Sequence, residues 1–232
     1  TAVWLDEFDD EPDPVWHPFP PALRPAPLEA SLGNQTWRHW LAAPEDLAPL
    51  TDSFAPRFGW LKQRFAWADL EPFGPTDLRA NDLMMHPDAW MHATRYGARH
   101  APPRVLIQLD VPPEWARVTP GAPGIPPFDL NPWLRFVRAF AHRYAGQVDA
   151  YEILNEPNLA REWGAAPDPE AYAKVLAAAY RAIKLADPDA VVVSAGLAPT
   201  GTDLPEAMDD VAFLERLYAA MDANHGSDLH FD

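Results

Sequence analysis

The stretch VDAYEILNEPN at 148–158 decides how the chain reads. Its first eight residues are apolar and β-branched enough for a buried strand. They run straight into Asn155-Glu156-Pro157, where proline ends ladder donation. Three similar runs flank it: RFGWLKQRFAW (57–67), RVLIQLDV (104–111) and AVVVSAG (190–196). A first strand is expected near SLGNQTW (31–37), and DLHFD (228–232) opens a sixth.

Helical periods fill the intervals. In 131–144 the residues Trp133, Phe136, Val137, Phe140 and Tyr144 share a face, and in 169–185 the stripe is Tyr172, Val175, Leu176, Ala179 and Ile183. Asp187-Pro188 stops that second helix. A third, over 207–222, is read with Val211, Leu214, Leu217, Tyr218 and Met221 inward, and 81–99 around Trp90 and Met91 is a weaker helix. Strands alternating with helices imply parallel pairing through right-handed crossovers. That leaves an open doubly wound sheet or a (β/α)8 TIM barrel. No glycine-rich phosphate turn follows a strand, and the loops after the strands are long and carry Trp and carboxylates. The expected class is therefore α/β, a TIM barrel present from β1 to the start of β6.

Residues 1–30 are Pro-rich and acidic without helical period and read as a linker or the end of an upstream module; 31–232 reads as the partial barrel domain. The chain begins at Thr1 and stops inside a strand, so a fragment is expected. Eighteen basic residues against 34 acidic ones leave a formal charge of −16, which repels phosphate backbones and argues against nucleic acid. The absence of Cys excludes disulfides, thiolate metal sites and Cys nucleophiles. No run approaches the ~20 apolar residues of a membrane span. The eight His are scattered without His-x-His or His-Glu-x-x-His spacing, which argues against a metal site, and no Gly-x-Ser-x-Gly elbow occurs, which argues against a Ser-His-Asp hydrolase; no cofactor is expected.

Asn155 and Glu156 cannot face one way while a strand stays regular, because side chains alternate. At the end of the strand both can face a barrel mouth. A carboxyl there, walled by aromatics, would hold its proton near neutrality, which is what a general acid in glycoside cleavage requires.

EILNEPN after a strand, with WLKQRFAWADLEP two strands earlier, resembles the clan A glycoside hydrolases, and most closely the cellulase-like families five and thirty-nine. The resemblance covers residues 31–232. It implies an O-glycosyl hydrolase, retaining and acting on β-linked sugars or polysaccharides, with a carbohydrate partner and an extracellular or cell-envelope location. It makes Glu156 the acid/base and Asn155 the contact to the sugar 2-hydroxyl. On β2 it puts Lys62 where an Arg often supports the nucleophile, with Arg64 two residues on and on the same face; Lys lacks the planar fork. The nucleophile implied is a Glu ending β7, beyond this sequence, so the 232 residues alone are expected to be inactive. His230 lies too early in its strand to be the loop His expected after β6.

Among other carboxylates, Asp110 at the end of β3 adjoins the end of β4 and, with Lys62, is expected to contact substrate; Glu71 suits an anchor beside Pro72, and Glu114 follows β3. Trp67, Trp115 and Trp163 follow β2, β3 and β4, where indole faces could stack on sugars or pack loops; Trp133 belongs to a core stripe. A carbohydrate-binding barrel without catalysis, or an unrelated barrel enzyme, would share these features.

Overall fold

The computed structural model describes residues 33–36, 46, 47, 49, 59–97, 102–117, 130–224, 231 and 232. The expected N-terminal linker and His230 lie outside the described residues.

Five parallel strands form the sheet: β1 (Gly33–Thr36), β2 (Trp60–Ala66), β3 (Arg104–Asp110), β4 (Ala150–Ile153) and β5 (Val191–Ser194). Each pairs with its predecessor, in the order β1-β2-β3-β4-β5. A doubly wound sheet reverses its strand order at a switch point, and this one never does. The winding is that of a barrel wall.

Helices lie between the strands: α1 (Trp67–Leu70), α2 (Met85–His92), α3 (Leu130–Arg143), α4 (Ala160–Trp163), α5 (Pro169–Ala186) and α6 (Asp210–Asn224). The weak helix over 81–99 resolves into a 3-10 turn (Asp82–Met84), α2 and a π turn (Ala93–Gly97). α5 begins as its sequence dictates: Asp168 caps it by accepting from the Ala171 N–H at 2.8 Å, Pro169 follows, and Asp187 ends it.

β2 alternates strictly. Leu61, Gln63 and Phe65 are buried toward the helices, while Lys62 and Arg64 face the other side of the sheet. The register carries that inner face across the wall, Lys62 beside Leu106 and Ala150, Arg64 beside Gln108 and Glu152. Outside the wall, an aromatic core joins sheet to helices. Phe65 meets Trp90 edge-on with centroids 5.8 Å apart, and Trp67 stacks on Phe136 at 5.4 Å.

α6 corrects the expected inward stripe. Its buried residues are Phe213, Leu217 and Ala220, and Val211, Leu214 and Tyr218 are exposed. Both faces of this helix carry apolar side chains: of the expected stripe Leu217 is buried and Met221 packs on the core, while the rest faces outward. Of the expected sixth strand only Phe231 and Asp232 are described; the Asp232 N–H donates to the Val192 carbonyl at 2.9 Å, beside β5. Among the described residues no helix is long and apolar enough to cross a membrane.

Candidate active site

The chain leaves β3 and β4 through strained backbone. Val111, Leu154 and Glu156 have φ of 47°, 69° and 40°, in the left-handed region that costs L-residues ~1 kcal/mol or more. Such conformations persist where surrounding contacts over-determine them. After β4 they do. The Ile153 carbonyl accepts from Tyr172 Oη at 3.0 Å, and the Leu154 N–H donates to the Leu109 carbonyl at 2.9 Å. Gln108 Nε2 donates to the Leu154 carbonyl at 3.0 Å and to Asn155 Oδ1 at 3.1 Å. The Glu156 N–H reaches the Gly196 carbonyl at 3.1 Å, and its own carbonyl accepts from the Leu159 N–H at 2.9 Å.

Asn158, wholly buried, completes the frame. Its amide donates to the Ala198 and Met208 carbonyls at 2.9 and 3.1 Å and accepts from the Ala198 N–H at 3.0 Å. Glu156 thus projects from a turn whose main chain is tied on both sides. Its side chain is 32% exposed, and Oε2 lies 3.4 Å from Nη2 of Arg161, an exposed residue. With the Asn155 oxygen engaged by Gln108, its amide nitrogen is the group left to donate.

Beneath this turn the lumen-facing charges pair off. Lys62 Nζ lies 2.6 Å from Glu152 Oε2, and Arg64 Nε lies 2.5 Å from Asp110 Oδ2. Lys62, expected to contact substrate, is therefore paired with Glu152, the last residue but one of β4. Glu152, absent from the expected site, also accepts from the Gly196 N–H at 3.4 Å. The Glu152 position in a strand reads as ordinary alternation, and its partner is not the register neighbour Arg64 but Lys62, diagonal to it across the wall.

Asp110 does adjoin the end of β4, but it is fully buried, and its Oδ1 has no hydrogen-bond partner among the described residues. Burial pushes its carboxyl up to about 7, partly offset by Arg64. An accessible substrate contact is thereby corrected to an interior group. Between the unfolded value of 3.8 and about 7, the folded chain holds a proton here that the unfolded chain has released. Stability from this group is therefore greatest at the acid end of that window and falls as pH rises through it. Relative to Asp110→Asn, the wild type should lose stability between pH 5 and pH 8, read as urea midpoints. A wild type that holds level with the variant over that range would mean Arg64 keeps the carboxylate ionised in the folded chain.

The tryptophans divide. Trp67 has no exposed surface; its ring lies 5.2 Å from Trp115 and 5.6 Å from Trp133, and its Nε1 donates to Glu71 Oε2 at 2.6 Å. Trp163 is 2% exposed and meets Tyr172 edge-on at 6.2 Å. Neither offers a face to a sugar, so both are corrected from stacking candidates to core. Trp115 is half-buried and donates from Nε1 to the Glu71 carbonyl at 2.6 Å. Glu71 is an anchor: besides Trp67 it accepts from the Thr76 N–H and hydroxyl, at 2.8 and 3.0 Å, and pairs with Arg135. The loop it braces exposes Phe73 almost completely, at 96%. Glu114 pairs with Arg117 at 3.5 Å and remains exposed.

A parallel wall wound in one direction, its strands in sequence order, defines a partial (β/α)8 barrel. Solved structures of glycoside hydrolases share the fold. A family 39 glycoside hydrolase from the gut symbiont Bacteroides cellulosilyticus WH2 matches at 18% identity over 70% of this chain and 31% of that one, with a TM-score of 0.50. GH5_18 from Streptomyces cattleya, solved in complex with Manb1-4GlcNAc, matches at 15% identity over 71% of this chain and 44% of that one, TM-score 0.56. A glucosidase from Croceicoccus marinus matches at 16% identity over 77% of this chain and 36% of that one, TM-score 0.53. The chain spans less than half the length of each. No family model matches the sequence, and no curated protein matches it.

Proposed function

We propose that the whole protein is a retaining glycoside hydrolase acting on β-linked sugars, with Glu156 as general acid/base. One observation carries this reading: the Asn155-Glu156 pair leaves the fourth strand on a strained turn tied at nearly every peptide, with the Glu156 carboxyl half-open. Three buried carboxylates of the wall and its loops are engaged, Glu71 by Arg135, Asp110 by Arg64 and Glu152 by Lys62. Glu156 is therefore the carboxylate best placed to meet a substrate at this end of the sheet.

In the first step Glu156 gives its proton to the glycosidic oxygen as a second carboxylate attacks the anomeric carbon. In the second step Glu156 takes a proton from the water that releases the sugar. The second carboxylate, ~5–5.5 Å away in a retaining enzyme, is assigned outside these 232 residues, in accord with the engagement of the three buried ones. Asn155, its oxygen held by Gln108, would donate to the sugar 2-hydroxyl. No cofactor enters the scheme.

The test is the anomer first formed when the whole protein cleaves an aryl β-glycoside, read by proton NMR before mutarotation. A β product is expected. An α product would replace the double displacement by an inverting mechanism, and no cleavage of any β-glycoside would favour a binding barrel.

A further inference from the structure

The β4–β5 ladder carries an insertion. Ala150 pairs with Val191, and the Val191 N–H donates to the Asp149 carbonyl at 2.9 Å. Parallel rungs recur every second residue, so the rung after Val193 should run from the Ala195 N–H to the Ile153 carbonyl. Neither group bonds the other. Tyr172, from α5, places its hydroxyl between them, donating to the Ile153 carbonyl at 3.0 Å and accepting from the Ala195 N–H at 2.7 Å. The phenol is fully buried, and that burial raises its pKa well above the ordinary phenol value, so it stays protonated and able to donate. Immediately beyond this point the chain adopts the left-handed conformations of Leu154 and Glu156, and the next cross-loop bond is from the Glu156 N–H to the Gly196 carbonyl.

We propose that Tyr172 is a positioning residue for the acid/base: its hydroxyl parts β4 from β5 by one bridging atom, and the strand separation it sets lets residues 154–156 turn and aim the Glu156 carboxyl. The proposal rests on the acid/base reading of Glu156. A direct rung from Ala195 to Ile153 would draw the two strand ends together and shift the anchor at Gly196. Tyr172→Phe removes that bridging atom while keeping the ring against Trp163 and Phe213.

A misaimed acid hurts most where the leaving group needs protonation. The experiment compares Tyr172→Phe and Glu156→Gln with the wild-type whole protein on two substrates, an alkyl β-glycoside and a 2,4-dinitrophenyl β-glycoside. For Tyr172→Phe, kcat on the alkyl substrate should fall by about 10- to 100-fold and kcat for the glycosylation step on the dinitrophenyl substrate by less than about 3-fold, with KM little changed. Equal losses on both substrates, or none, would overturn the proposal while Glu156→Gln still shows the leaving-group dependence. A Glu156→Gln enzyme without that dependence would instead overturn the acid/base reading itself. Should Tyr172→Phe fail to fold, 3-fluorotyrosine at position 172 keeps ring and hydroxyl but weakens the oxygen as acceptor. The bridging atom stays, so kcat on both substrates should remain within about 3-fold of wild type, and a larger loss on either would overturn the proposal.

Discussion

Replacing Glu156 by Gln in the whole protein should lower kcat on alkyl and oligosaccharide β-glycosides by about 10²- to 10⁴-fold, the range a positioned proton donor contributes. The fold should be untouched. The Glu156 side chain is 32% exposed, its ionic partner among the described residues is the exposed Arg161, and Gln preserves length and shape. The turn that carries it is held through main-chain groups of Ile153, Leu154 and Glu156 and through Asn158, none of which the substitution alters. Thermal midpoints of the two proteins should therefore agree within about 2 °C, since an exposed substitution costs at most ~0.5 kcal/mol. The assay pairs initial rates with a melting curve on the same samples. Retained activity would remove Glu156 from the chemistry and leave the likeness to glycoside hydrolases as one of fold alone.

The fold was largely legible because its signals are local. Each described strand lies within an expected run, and Pro157, Asp168-Pro169 and Asp187-Pro188 punctuate where backbone chemistry requires. The choice between barrel and doubly wound sheet was not local, and strand order settles it. α6 misled in part because Val211, Leu214 and Tyr218 keep a helical period on a face that stays exposed, while Phe213 joins the expected Leu217 in the core.

The site divides along the same line. The Asn155-Glu156 pair declares itself through a proline-terminated strand. Its supports do not: Gln108, Tyr172 and Gly196 come from other elements and meet it only through register and packing. Trp67 and Trp163 were plausible ligands because they follow strands. Position after a strand says which end of the barrel a residue occupies, but not whether it points up into the mouth or back into the helix layer. Lys62 and Arg64 share a face as alternation demands, yet their partners, Glu152 and Asp110, lie on separate strands.

At the opposite end of the strands the expected effect is on stability alone. Arg95, in the π turn after α2, donates from Nε to the Gln147 carbonyl at 2.6 Å and from Nη1 to the Pro103 carbonyl at 3.0 Å, and it pairs with Asp149. Asp149 Oδ2 accepts in turn from the Val105 N–H at 2.7 Å. This buried cluster joins the entries of β3 and β4, so Arg95→Met should leave the Asp149 carboxylate buried without its cation. The cost of breaking such a pair on one side is ~3–5 kcal/mol, because the remaining charge has lost its compensation. In a domain of this size that corresponds to a fall in Tm of roughly 6–20 °C. Adding Asp149→Asn should recover part of the loss, since the stranded charge is then gone, and the shortfall of the two changes from additivity reports their coupling. Urea unfolding of the single and double variants measures it, with an unchanged m-value indicating that only stability moved. The kcat per folded molecule should stay within about 2-fold of wild type, because the cluster sits at the amino ends of the strands and the carboxyl ends carry the chemistry of this fold. A single variant within ~1 kcal/mol of wild type would mean that water reaches Asp149 and that the cluster is not the clamp its hydrogen bonds describe.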